Sequence, residues 1–178
     1  IIIRAVFSLN PINPTKLRKI LKLLIIQATE SENIWIFAKG IFVKYVWAFE
    51  HPESFPQVDC EKVKIDTWKY FITTLKAKYW VTSVNIERGL KYKKKGTFYL
   101  NTWHGPAINL MGNAVEGRSD FRWDHVDSFC ISGNYERQII ERDFCVRPES
   151  LLLSGLPRND ELYYVTTERI AELRKQFN

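Results

Sequence analysis

Cysteine is scarce in this 178-residue chain: Cys60, Cys130 and Cys145 are the only three. An odd number without CxxC spacing implies neither a disulfide framework nor a zinc site, and reduced, partly buried thiols are expected. Long apolar runs are also missing. The stretch nearest the start is broken by Arg4, Asn10, Pro11 and Pro14, so neither a signal peptide nor a spanning helix is expected. Internal repeats and low-complexity tracts are absent. So are the GxGxxG, P-loop and GxSxG patterns. The acidic residues between 116 and 127 lack metal-ligand spacing, and neither a metal nor a cofactor is expected.

What is present is the profile of a folded protein: 46% hydrophobic, 14% aromatic and 26% charged residues. The length fits one α/β domain, or one domain with the start of a second. The net charge of +6 is unevenly spread. Residues 1–100 carry 17 basic and 8 acidic side chains, whereas residues 101–178 carry 9 and 12. An excess of positive charge in one half favours an anionic partner there, or is a basic solvated surface.

Residues 15–28 place Leu17, Ile20, Leu21, Leu24 and Ala28 on one helical face, with Lys16, Arg18, Lys19 and Lys22 around it. Such a helix either lies on an anionic membrane or packs its leucines on a sheet. Ile34–Ala38 and Ile41–Phe49 are both β-prone, but only Lys39 and Gly40 separate them. Adjacent parallel strands need a crossover of about a dozen residues. The two runs are therefore a hairpin, one continuous element, or strands whose connection is missing from this chain.

From residue 64 the pattern clears. Ile65, Trp68, Phe71, Ile72, Leu75 and Tyr79 recur at helical spacing, followed by strand-like Tyr79–Val84. A basic turn, Arg88 to Lys95, leads into a second run, Thr97–Thr102. It carries five cations, but no nucleic-acid-binding motif accompanies it, and a solvated turn is expected. Val126–Ser132 reads as a further strand, and Tyr135–Phe144 as a helix with Tyr135, Ile139, Ile140 and Phe144 on one face. Leu151–Ser154 is a short apolar run, and Thr166 or Thr167 caps a last helix carrying Ile170, Leu173 and Phe177. Strands alternating with helices predict an α/β fold with a parallel, Rossmann-like sheet and flanking helices. In such sheets ligands bind outside the carboxyl ends of the strands, so the loops beginning at Trp103, Gly133 and Gly155 are expected along one edge.

Two of these loops carry chemistry. His104 follows a strand and precedes Gly105-Pro106, a stiff turn that holds the imidazole in place. An imidazole can take a proton from a hydroxyl near neutral pH, although a lone histidine at a strand end is more often structural. His125 reads as a surface or packing residue and His51 as a loop residue. In Gly155-Leu156-Pro157-Arg158-Asn159-Asp160, Arg158 suits a phosphate through two parallel hydrogen bonds, with Asn159 and Asp160 capping the next segment or orienting it. The alternative there is a plain turn with a surface ion pair.

Taken together, Thr102-Trp103-His104-Gly105, Trp123-Asp124, Phe144 and the GxPRND pattern at Gly155, Pro157, Arg158, Asn159 and Asp160 resemble the CDP-glycerol glycerophosphotransferase family of teichoic acid primases and polymerases. The match in order and spacing runs from about residue 64 to 163. The resemblance implies the N-terminal half of a GT-B fold: an acceptor-side domain over residues 1–163, with 1–30 as a basic membrane-facing segment. Residues 164–178 would be a linker helix towards a second domain that this chain lacks. It implies transfer of glycerol phosphate from CDP-glycerol to the hydroxyl of a lipid-linked acceptor, releasing CMP, by a peripheral protein on the cytoplasmic membrane face. Expected partners are CDP-glycerol, mostly through the missing domain, the lipid-linked acceptor and an anionic membrane surface; no nucleic acid is expected. The resemblance makes His104 the general base, and Thr102, Trp103, Gly105, Arg158, Asn159 and Asp160 substrate-binding residues. A chain without the second domain is expected neither to bind CDP-glycerol tightly nor to turn over. Pro106-Ala107-Ile108-Asn109 departs from the family pattern of Thr-Pro and a basic pair, which bears on acceptor choice. The alternatives are a GT-B glycosyltransferase using a nucleotide sugar and a non-catalytic membrane- or partner-binding fragment.

Overall fold

The computed structural model describes residues 4–8, 44–157, 159–160 and 164–177. Seven strands form one sheet: β1 (Arg4–Ser8), β2 (Lys44–Phe49), β3 (Glu61–Lys64), β4 (Tyr79–Thr82), β5 (Phe98–Asn101), β6 (Ser128–Ile131) and β7 (Leu151–Leu153). Their order is β3-β2-β1-β4-β5-β6-β7. The half from β4 to β7 is wholly parallel, and β2 pairs parallel with β3. Only β1 runs the other way, antiparallel to β2 and β4. The expected helix over 15–28 and the run Ile34–Ala38 lie outside the described residues; of Ile41–Phe49, Lys44–Phe49 is strand β2.

The central strands read as continuous apolar runs because both of their faces are covered. All of Tyr79–Thr82 and all of Ser128–Ile131 are buried. On one face Val46, Ala48, Val63, Trp80, Tyr99, Phe129 and Ile131 join a single core with Tyr70, Ile140 and Phe144 from the helices. Strand β3, with the sequence EKVK, carries too little apolar periodicity to be expected; pairing with β2 makes it a strand, and its charges suit a sheet edge.

Helix α1 (Trp68–Lys76) follows the N-cap Thr67, whose side chain accepts from the Tyr70 N–H. Of the apolar residues at helical spacing, those at 68, 72 and 75 do not face the core. Trp68 is 85% exposed, and Ile72 and Leu75 also face outward, while Tyr70 and Thr74 are fully buried. Polar anchoring sets this rotation: the Tyr70 hydroxyl donates to the Ile86 carbonyl, and the Trp80 indole N–H donates to the Thr74 carbonyl at 2.8 Å. Buried tyrosine and tryptophan need such partners for their polar ends.

In helix α2 (Asn134–Phe144), Ile140 and Phe144 point inward, but Tyr135, expected on the same face, is exposed. Buried Glu136 sits one position on, and its carboxylate accepts from the Ser132 N–H at 2.5 Å. Helix α3 (Thr167–Phe177) starts where expected, with the Thr166 hydroxyl accepting from the Arg169 N–H. It buries no residue.

Candidate functional site

Because β4 to β7 run in parallel, the segments starting at Trp103, Gly133 and Gly155 all leave the same sheet edge. Strand β5 ends at Asn101, which is fully buried. Its side-chain oxygen accepts from the Trp103 N–H at 2.9 Å, and its amide donates to the Val84 carbonyl at 3.2 Å. Thr102 continues the ladder, its N–H donating to the Thr82 carbonyl at 2.8 Å. The chain then turns sharply, with Trp103 in the left-handed region at φ 56°. A bulky residue holds that conformation only when its surroundings over-determine it.

The surroundings are aromatic. Trp103 is 7% exposed and packs on Trp123, Phe129 and Phe144, with ring centroids 6.1, 5.5 and 5.3 Å away. The Trp123 N–H donates to the Phe144 carbonyl at 2.8 Å, tying the loop before β6 to the end of α2. Three aromatic residues spread over the sequence signature, Trp103, Trp123 and Phe144, thus form one block behind the strand end.

In front of this block stands His104, exposed, its ring 4.1 Å from that of Trp103. The Ser83 carbonyl lies 2.6 Å from Nδ1. A carbonyl only accepts, so Nδ1 carries the proton in this bond and the neutral ring keeps Nε2 as a bare acceptor. Ser83, just past β4, is a partner that sequence patterns could not reveal. A Cβ added at Gly105 meets nothing within 4 Å, so the chain's own packing does not call for a glycine there.

Asn159 and Asp160 follow β7, which lies two strands along from β5 in the sheet. The Asn159 N–H donates to the carbonyl of buried Leu156 at 2.9 Å, closing a turn. Asn159 is exposed and Asp160 half-buried. Arg158 lies outside the described residues. The structure therefore groups Thr102, Trp103, His104 and Gly105 at one strand end, while Asn159 and Asp160 lie in the segment after β7, whose Ser154 and Gly155 N–H groups bond to the Ile131 carbonyl of β6.

Other functional expectations fare variously. His125 is no simple surface residue: its Nε2 meets the carboxylate of Glu87, which is 1% exposed. The basic turn is anchored in part, since Lys93 pairs with Asp127 at 2.9 Å and Arg88 with Asp66 at 2.8 Å. Among the described residues there is no group of three or more His, Cys, Asp or Glu that could hold a metal ion. Nor is any described helix long and apolar enough to cross a membrane.

A mostly parallel sheet with flanking helices and a loop-lined carboxyl edge is one part of a GT-B-like fold. Solved structures of the wall teichoic acid polymerase TagF share it: one variant superposes with a TM-score of 0.60 at 23% identity, covering 76% of this chain and 36% of that one. Another, soaked with CDPG for 30 minutes, gives 0.63 at 24% identity, covering 76% and 37%. Residues 18–178 match the family model described as CDP-Glycerol:Poly(glycerophosphate) glycerophosphotransferase, and the chain belongs to that family. It is 27% identical over 155 residues to a teichoic acid poly(glycerol phosphate) polymerase of Staphylococcus epidermidis, covering 76% of this chain. It is 28% identical over 169 residues to a teichoic acid glycerol-phosphate transferase of Staphylococcus aureus, covering 84%. The chain spans 21% and 40% of the length of these two relatives.

Proposed function

We propose that this chain is the acceptor-side half of an enzyme that moves glycerol phosphate from CDP-glycerol to the hydroxyl of a membrane-linked acceptor, releasing CMP. The observation that carries this reading is the placement of His104: Nδ1 is committed to the Ser83 carbonyl, and the residue is exposed at the strand end. A neutral imidazole so held is a general base. Nε2 takes the proton of the acceptor hydroxyl, and that oxygen forms a bond to the glycerol-bearing phosphorus. The bond from this phosphorus to the CMP oxygen breaks, and CMP leaves. Trp103 and the aromatic block keep the imidazole from swinging away, and Thr102 and Gly105 frame it.

In this reading residues 1–163 are the acceptor-side domain, and 164–178 lead towards a second domain that holds most of the CDP-glycerol. Arg158, Asn159 and Asp160 contact substrate from the loop after β7. The protein works on the cytoplasmic membrane face, held by the basic segment 1–30. Family membership and the excess of cations in residues 1–100 support these assignments.

The test is CMP release from CDP-glycerol with a lipid-linked acceptor, measured on the complete protein that contains this chain. His104→Ala should lower kcat by about 10²- to 10⁴-fold, the usual worth of a general base. Activity like that of the wild type sinks the assignment, and turnover only with a nucleotide sugar makes the protein a glycosyltransferase.

A further inference from the structure

Trp103 carries two local costs that its packing does not explain. Its backbone sits in the left-handed region at φ 56°, where a bulky residue is an outlier. Its indole Nε1 is buried without a hydrogen-bond partner, in a ring enclosed by Trp123, Phe129 and Phe144. Trp80, in contrast, donates its indole N–H to the Thr74 carbonyl at 2.8 Å. A buried donor without an acceptor loses its hydration and gains nothing in return. Phenylalanine would fill most of the same space and strand no donor. Stability alone therefore selects against tryptophan at this position.

The left-handed turn has one visible product. Consecutive side chains of an extended strand point to opposite faces. Here the rings of Trp103 and His104 lie 4.1 Å apart at 44°. Aromatic pairs usually keep their centroids about 4.5–7 Å apart. At the shorter distance the two rings touch through a face and not edge to edge. The other group on the imidazole is the Ser83 carbonyl, 2.6 Å from Nδ1. Among the described residues no carboxylate or cation pairs with His104. A carbonyl oxygen and the negative face of an indole share one preference: both favour a positive ring over a neutral one.

We infer that Trp103, beyond holding the ring in place, is a positioning residue whose indole face stabilises the imidazolium that His104 becomes on taking up a proton. This rests on the proposed role of His104 as the base, but the effect of the stack is measurable without turnover. The proton comes from the acceptor hydroxyl, and its charge appears on the imidazole. The indole is already within the roughly 6 Å reach of a cation–π contact and meets that charge without rearrangement. The orphaned N–H and the left-handed backbone are then the cost of putting an indole, and not a smaller ring, against the histidine.

The experiment follows the His104 Cε1–H signal by NMR as pH is varied in the 178-residue chain, with His51 as an internal reference. Trp103→Leu should move the His104 midpoint to lower pH by about 0.4–0.7 unit, a roughly two- to fivefold change in the protonation equilibrium and the worth of an exposed cation–π contact. Trp103→Phe should recover part of the difference. Tryptophans carrying one to four ring fluorines, inserted at position 103, keep the packing while draining charge from the ring face. The midpoint should fall stepwise with fluorine number, and this series reports even where Trp103→Leu loosens the aromatic block. In the complete protein the same series should lower kcat for CMP release by up to about fivefold at unchanged KM, with the acid limb of the pH profile moving alongside the NMR midpoint. A midpoint that ignores the fluorine series, or rises along it, overturns the inference. An insensitive midpoint in a protein whose CMP release depends on His104 removes the stack alone. A sensitive midpoint in a protein whose CMP release ignores His104→Ala removes the base and keeps the stack.

Discussion

Replacing Glu87 tests how the strand-edge loops are held. Its carboxylate is 1% exposed and fully engaged. One oxygen accepts from the Tyr92 and Lys93 N–H groups at 2.9 and 2.8 Å, and the other meets His125 Nε2. Glu87 therefore ties the basic turn to the loop before β6. Glu87→Ala leaves two backbone N–H groups and a histidine without their acceptor. At about 1–3 kcal/mol per orphaned buried group, softened by water reaching the part-exposed histidine, the expected loss is about 3–5 kcal/mol. For a chain of this length that lowers Tm by roughly 6–20 °C. Glu87→Gln keeps an amide oxygen for the two N–H groups and should lose less than half as much.

The pH dependence follows from the same contacts. Burial pushes the Glu87 carboxyl up, but the hydrogen bond from His125, its charge, and the N–H groups of Lys93 and Tyr92 together outweigh it and hold the carboxyl below its ordinary value. A carboxylate whose pKa is lowered by folding adds stability above its unfolded pKa, near 4.3, and loses it as pH falls through the folded value. Thermal melts of wild type and Glu87→Gln should therefore converge below about pH 4. Equal melts of Glu87→Ala and Glu87→Gln at pH 7, or a Glu87→Ala loss under 2 °C where about 3 kcal/mol is expected, would refute the reasoning.

Two further outcomes are expected. Gly112→Ala should destabilise the chain by roughly 2 kcal/mol or more in denaturant melts, because its Cβ would lie 2.3 Å from the Asp143 carbonyl oxygen at a φ of +55°. Burial pushes the Cys130 thiol up to about 11, the hydrogen bond with Ser154 opposing it only in part. At pH 8 it should resist alkylation in the native chain and react once unfolded, as mass spectrometry of the labelled peptides will report.

The alternation of apolar runs with helical spacing from residue 64 onward is enough to specify parallel strands and the edge on which their loops gather. Burial on both faces makes β4 and β6 mostly apolar, with one aliphatic hydroxyl residue each, a pattern that survives without tertiary knowledge. Strand β3 was illegible because four residues with three charges hold no period. The rotation of α1 was illegible too: its most apolar stripe faces outward, and the Tyr70 hydroxyl and Trp80 indole decide which side turns in. Helical spacing records where apolar residues recur, but not which polar groups must find a buried partner.

The histidine at the strand end, the signature residues around it and family membership were thus contained in the sequence itself. Only the tertiary structure decided how His104 is held. The Ser83 carbonyl that engages Nδ1 comes from 21 residues away on the neighbouring strand's exit. The aromatic block behind it gathers Trp103, Trp123 and Phe144 from three separate loops and helix ends. The physical reason is common to both: hydrogen-bond direction and side-chain contact depend on which strand exits lie side by side, and strand order is a property of the folded sheet.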